Sequence, residues 1–172
     1  MKLKKLIFLG ICASVFFSCS TDDGKYTEPI SMYEKIGGRW NLSRIKQVDE
    51  LAIANQSGLT EVDLTDFFEN FSITLNVNES NQPLTFVTSG APEILPVEGY
   101  WKLDSTFQNW DGKPVNILFF EDSACTIQTG KVSITSVPGS VPLMEFTLTR
   151  SSNGIPFVSY VYTLIPVMQI NQ

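Results

Sequence analysis

Phe71, Ile73, Leu75 and Val77 alternate with Ser72, Thr74 and Asn76, a spacing that puts every apolar side chain on one face of an extended strand. Seven more short runs share this pattern or a buried variant of it. Arg39 to Gln47 carries Trp40 and Leu42 on one face, Leu84 to Thr88 follows, and Gly99 to Asp104 sets Trp101 and Leu103 on one side. Val115 to Phe120 is apolar on both faces and reads as a more deeply buried strand. Cys125 to Thr135 carries Cys125, Ile127 and, past a bulge signal at Gly130, Val132 and Ile134. Met144, Phe146 and Leu148 alternate with polar neighbours, and Phe157 to Ile165 places Val158, Tyr160, Tyr162 and Leu164 together.

Between these runs stand Asn81-Gln82-Pro83, Asp111-Gly112-Lys113-Pro114, Val137-Pro138-Gly139 and Ser151-Ser152-Asn153-Gly154, all turn chemistry. No long helical pattern separates them, as a parallel sheet would require. The chain is therefore expected to be all-β and antiparallel, closed as an eight-stranded barrel or open as a β-sandwich. Two helical signals remain. Met32 to Ile36 predicts one turn ended by Gly37-Gly38. Leu64, Phe67, Phe68 and Phe71 fall at i, i+3, i+4 and i+7 behind Thr60 and Asp63, which predicts a short helix between the first two strands. Such a helix would plug the core or cover a barrel mouth as a lid.

Residues 1–18 have the layout of a secretory signal peptide: basic Lys2, Lys4 and Lys5, an apolar stretch from Leu6 to Phe17, then Ser18. The stretch is short for crossing a hydrocarbon core of ~30 Å as a helix. Ordinary signal peptidase favours a small residue where Phe16 stands. Phe16-Phe17-Ser18-Cys19 instead resembles a bacterial lipobox of the loose Bacteroidetes type. That resemblance implies cleavage before Cys19, with palmitate-type chains on its thiol and on the freed amine, and so an anchor in the membrane. A plain signal peptide with an incidental thiol is the alternative. Ser20-Thr21-Asp22-Asp23-Gly24-Lys25 looks like the acidic tag that sends such lipoproteins to the outer cell face, with the periplasmic face as the alternative. Residues 19–31 would be the lipidated cysteine and a flexible tether, spanning about 20 Å as a coil, and residues 32–172 the folded domain.

Loss of the leader removes three lysines and leaves nine basic against eighteen acidic side chains, a net charge of −9. Such a chain repels phosphate backbones, and no clustered basic patch is visible, so nucleic acid is not expected as a partner. Cys12 departs with the leader and Cys19 is acylated, which leaves Cys125 without a partner for an internal disulfide. Packing must hold this domain together.

Gly38-Arg39-Trp40-Asn41-Leu42, with the turn at Tyr33 to Ile36 before it, resembles the first-strand signature of lipocalin-like proteins. The resemblance implies an eight-stranded antiparallel barrel in which a short turn leads to Gly-x-Trp and the indole closes one end. With the lipobox, the whole chain is similar to lipocalin-like lipoproteins of unknown function from Bacteroidetes. Gly38 and Trp40 would be the closing motif, and Gly99-Tyr100-Trp101-Lys102-Leu103 repeats it, so either indole is a candidate plug. True lipocalins also stack an arginine across that indole from beyond the last strand. Here Leu164-Ile165-Pro166-Val167 supplies none, leaving Arg150 and Arg44 as candidates.

The chain has no histidine, the commonest general base at neutral pH and the commonest metal ligand. No Ser-His-Asp or Cys-His site can be built. Cys125, in Ala124-Cys125-Thr126-Ile127, reads as a buried structural thiol. Carboxylates are the remaining chemistry, since a glycosidase needs two about 5–9.5 Å apart. Glu121-Asp122, Asp104, Asp111 and the group Glu61, Asp63, Asp66 and Glu69 read as solvated charge, and the group lacks the spacing of a calcium loop. Neither a cofactor nor a metal is expected. Phe107-Gln108-Asn109-Trp110-Asp111-Gly112 instead offers aromatics in a hairpin connection, where Trp110 stacks on a sugar or partner surface or folds back on the core. Trp110, Phe107, Asn109 and Trp101 are thus the candidate ligand-binding residues. The function expected is a non-enzymatic surface lipoprotein that binds a small apolar ligand or glycan, or serves an outer-membrane complex. The alternatives are a carboxylate-dependent glycan hydrolase and a purely structural scaffold.

Overall fold

Gly38–Asp49 forms one long strand, β1, paired along both edges, and this double pairing closes the fold into a barrel. The computed structural model describes residues 27–167; the expected leader, Cys12, Cys19 and the first part of the expected tether lie outside the described residues. The helix α1 (Met32–Ile36) precedes β1, and α2 (Glu50–Ala54) and β2 (Glu61–Asp63) follow it. Then come β3 (Ser72–Val77), β4 (Pro83–Ser89), β5 (Glu98–Leu103), β6 (Val115–Phe120), β7 (Gln128–Ser136), β8 (Met144–Ser152) and β9 (Ile155–Pro166).

From β3 to β9 each strand pairs antiparallel with the next. β9 then returns to β1, with Trp40 opposite Pro166, Ile45 opposite Tyr162 and Asp49 opposite Val158. On its other edge β1 pairs first with β3 and, further along, with β2. The result is a closed eight-stranded antiparallel barrel with β2 as an extra strand, which excludes the open sandwich. A bulge between Leu42 and Arg44 kinks β1 and lets it serve both neighbours.

The alternation seen in the sequence is the inward-outward alternation of the barrel wall. Ile73, Leu75, Phe86, Ile117, Phe119, Phe146, Tyr162 and Leu164 are fully buried. Their rings fill the interior: Phe86 lies 4.5 Å from Phe119, Phe146 4.8 Å from Tyr162, and Tyr162 5.1 Å from Phe71, centroid to centroid. Such tilted and stacked pairs contribute beyond their buried area. The Tyr162 hydroxyl is buried with no protein partner. Burial, and to a lesser degree the neighbouring Tyr160, pushes its pKa well above the ordinary phenol range.

The helix α1 packs its apolar residues into the core at one end of the barrel. Ser31 caps α1 by accepting from the Glu34 N–H at 3.2 Å, and Met32 and Ile36 are buried across the end of the barrel. The Trp40 indole donates to the Ile36 carbonyl at 2.8 Å, and the Trp101 indole donates to the Asn76 carbonyl at 3.0 Å. Both indoles are buried. Their leading glycines have φ of 113° and 150°, and a Cβ built on Gly99 would collide with the Phe120 carbonyl. Gly-x-Trp is thus a backbone requirement at both places.

Three sequence expectations need correction. The stripe from Leu64 to Phe71 is not a helix: Thr65–Phe67 forms a single 3-10 turn, and Phe67 is 80% exposed while Phe71 is buried. The Asp63 carboxylate accepts from the Thr65 N–H at 2.9 Å and the Leu64 N–H donates to the Ile45 carbonyl at 2.9 Å, so side-chain and sheet pairing take the groups a helix would use. The short helix after the first strand is α2, capped by Asp49 accepting from the Ala52 N–H at 2.8 Å. Cys125 is half-buried in a turn, with φ of 53°, rather than inside β7. Finally, neither arginine stacks on an indole: Arg150 lies over the Phe157 ring and Arg44 pairs with Asp63.

Replacing Trp40 or Trp101 by Phe removes a buried hydrogen bond and leaves a void, and each change should lower stability by about 2 kcal/mol. Tyr162→Phe removes an unsatisfied buried hydroxyl and should raise stability by about 1 kcal/mol. Urea unfolding of the three variants checks both directions.

Candidate functional site

The connection between β5 and β6 is drawn tight by its own side chains. Asp104 accepts from the Asn116 N–H at 2.8 Å, and the Ser105 hydroxyl donates to the Phe107 carbonyl at 2.7 Å. The Asn109 amide donates to the Lys113 and Pro114 carbonyls at 3.0 and 3.3 Å. Asp111 accepts from the Lys113 N–H at 3.1 Å and forms an ion pair with its ammonium at 2.8 Å. Gly112, at φ 75°, allows the reversal. Trp110 stands at the tip of this braced loop and is 98% exposed, so it does not fold back on the core. Phe107 is also exposed.

The loop is fastened to α1, because the Met32 N–H donates to the Thr106 carbonyl at 2.9 Å. A cleft of about 380 Å³ opens here, lined by Met32, Asn109, Lys113, Val115, Ile134 and Val137 among others. Trp110 belongs to the same loop but not to the lining. Of the four expected binding residues, Phe107, Trp110 and Asn109 share this loop, while Trp101 is 1% exposed with its ring 5.5 Å from that of Tyr33. Trp101 is therefore a core residue, out of reach of a surface ligand. Met32, Ile134 and Val137 were missed as lining residues, since only the barrel's closure brings them beside the loop. Trp40 is buried beneath α1 at this end, while Gly38, at the start of β1, is exposed.

The carboxylates mostly brace turns. The Thr65 hydroxyl and N–H, and more weakly Arg44, hold Asp63 below the usual carboxylate range. The Lys113 ammonium and N–H do the same for Asp111. Asp122 is lowered chiefly by the Ile127 N–H, at 2.7 Å, and also by the hydroxyl and N–H of Thr126. A general acid needs the opposite shift. Glu121 and Glu98 do line one further cleft of about 500 Å³ with Tyr100 and Thr129. Among the described residues no group of three or more His, Cys, Asp or Glu is arranged to hold a metal ion, and no helix is long and apolar enough to cross a membrane.

Because these aspartates have lower pKa values folded than unfolded, the stability they contribute is present above the unfolded pKa and disappears as pH falls through the folded one. The acid limb of unfolding should therefore begin below about pH 4. Asp122→Asn should lose stability at neutral pH, and its deficit against the wild type should shrink as pH falls below that point. Urea midpoints at neutral and acid pH measure the difference.

A family model described as a domain of unknown function, DUF5004, matches residues 17–165, from before Cys19 to the end of the barrel wall. No curated protein and no solved structure matches the chain. The family match runs over β1 through all but the last residue of β9, and the chain accordingly belongs to the DUF5004 family.

Proposed function

We propose that this protein is a lipid-anchored, lipocalin-like lipoprotein of Bacteroidetes type, displayed on the outer membrane, that acts as a non-enzymatic interaction module through its surface. The observation that carries this reading is the filled interior, where Phe71, Tyr162 and Phe146 stack in series and Phe86 packs on Phe119. A barrel that carries an apolar ligand leaves space of roughly 300 Å³ or more inside its wall. Here aromatic side chains occupy that position. The turn of α1 leading into Gly38-x-Trp40 supports the lipocalin-like description, and Phe16-Phe17-Ser18-Cys19 supports the anchor. The braced, ionised aspartates and the lack of histidine favour binding over catalysis.

A second reading has a specific observation behind it: an exposed indole beside a cleft of about 380 Å³ suits a sugar ring. A glycan site there would use Trp110 for stacking and Lys113 for hydrogen bonding. The hydrolase reading has Glu98 and Glu121 on one cleft as its best support.

Metabolic labelling with an alkyne fatty acid should mark the wild-type protein and miss Cys19→Ala; equal labelling would sink the anchor. Native mass spectrometry of the protein purified from its own host should show the same polypeptide-plus-lipid mass as the denatured sample. A further adduct that is released on denaturation would overturn the solid barrel.

A further inference from the structure

The tether joins the barrel at one particular end. Residues 27–31 lead into α1, and α1, the loop bearing Trp110 and the β7–β8 connection all lie at that end. Met32 stands thirteen positions after Cys19, which bounds the reach of the tether at about 45 Å when fully extended. β9, at twelve residues, is about 40 Å long, and a tilted strand of that length makes the barrel roughly 30 Å tall. To bring the opposite end to the bilayer, the tether would have to run alongside the whole barrel at about two thirds of its full extension, beyond the about 20 Å of a relaxed coil. The near end is the one that the tether would hold closest to its anchor.

That end has the surface chemistry of a bilayer interface. Ile30, Phe107, Trp110 and Val141 are exposed there, and the bond from the Met32 N–H to the Thr106 carbonyl holds the segment carrying Ile30 against the loop of Phe107 and Trp110. The indole is amphipathic and settles at the level of lipid headgroups. The charges flanking Trp110 cancel, since Asp111 and Lys113 pair at 2.8 Å. The opposite rim exposes more apolar side chains, Leu51, Ile53, Leu59, Phe67 and Ile155 among them, but those stand among Asp66, Glu69, Glu121 and Asp122, with Glu61 and Asp63 paired to Lys46 and Arg44. An anionic membrane repels that rim and tolerates the tether end.

We propose that the tether end is a membrane-docking face, with Trp110 seated among the lipid headgroups and the barrel held upright on the bilayer. The proposal rests on the reading that Cys19 carries the lipid. Docking would fix the orientation that a tether alone leaves free, and would present the acidic rim outward.

The test uses the full lipidated protein reconstituted into phosphatidylcholine vesicles, with and without lipids brominated near the head of the acyl chain. Trp40 and Trp101 are buried, so Trp110 is the indole open to the quencher. Its emission should shift to the blue on reconstitution and fall about twofold in brominated vesicles, as for an indole at headgroup depth. Trp110→Phe should float with the vesicles and show no such change, with near-ultraviolet circular dichroism confirming its fold. If the wild type floats but is not quenched, or if Trp110→Phe is quenched equally, docking is wrong and the anchor stands. If the protein does not float, the anchor fails and docking fails with it. A shift of Trp110 emission by soluble oligosaccharides without any response to vesicles would overturn docking in favour of the glycan cleft.

Discussion

The antiparallel pairing of β1 with β9 is the contact on which the remaining structure depends, because it removes the two free edges of an otherwise open sheet. It joins residues more than a hundred positions apart, from Trp40 opposite Pro166 to Asp49 opposite Val158. Such a contact forms against a large loop-closure entropy and is repaid only when the whole wall is in register. The bulge after Leu42 is part of this. One strand must follow β9 on one side while passing from β3 to β2 on the other, and an extra residue provides the bend.

Closure also decides what the interior can be. An eight-stranded barrel is just wide enough for side chains to fill or for one small ligand to occupy. The inward positions here are rich in rings, and the contacts from Phe71 through Tyr162 to Phe146 run across the lumen. The one polar group among them without a protein partner is the Tyr162 hydroxyl, held neutral by burial. A solid core of this kind turns attention from the lumen to the rims.

The two rims differ in construction. At the α1 end, the Trp40 indole bonds the Ile36 carbonyl of α1, the Trp101 indole ties β5 to the Asn76 carbonyl of β3, and a self-braced loop lifts Trp110 into solvent. At the opposite end, aspartates accept from turn N–H groups and hydroxyls, most clearly Asp122 with Thr126 and Ile127. These carboxylates serve the backbone of the turns. Their lowered pKa values follow from those hydrogen bonds.

By itself the sequence determined the strands, since alternation is a local property that survives without knowledge of partners: Val115–Phe120 appears as read, and β3, β4 and β5 start and end within one residue of their runs. It also determined the turn of α1 and both Gly-x-Trp motifs, where a glycine must take a positive φ. Tertiary structure alone decided between barrel and sandwich, because strand partners far apart in the chain leave no local mark. It likewise decided the stripe at Leu64 to Phe71, where helical spacing competed with sheet pairing and a side-chain turn, and lost. It separated Trp101 from Trp110, two similar residues in neighbouring segments, sending one into the core and the other to the tip of a loop. Burial depends on what the closed wall encloses, and that is a property of the assembled barrel rather than of any stretch of residues.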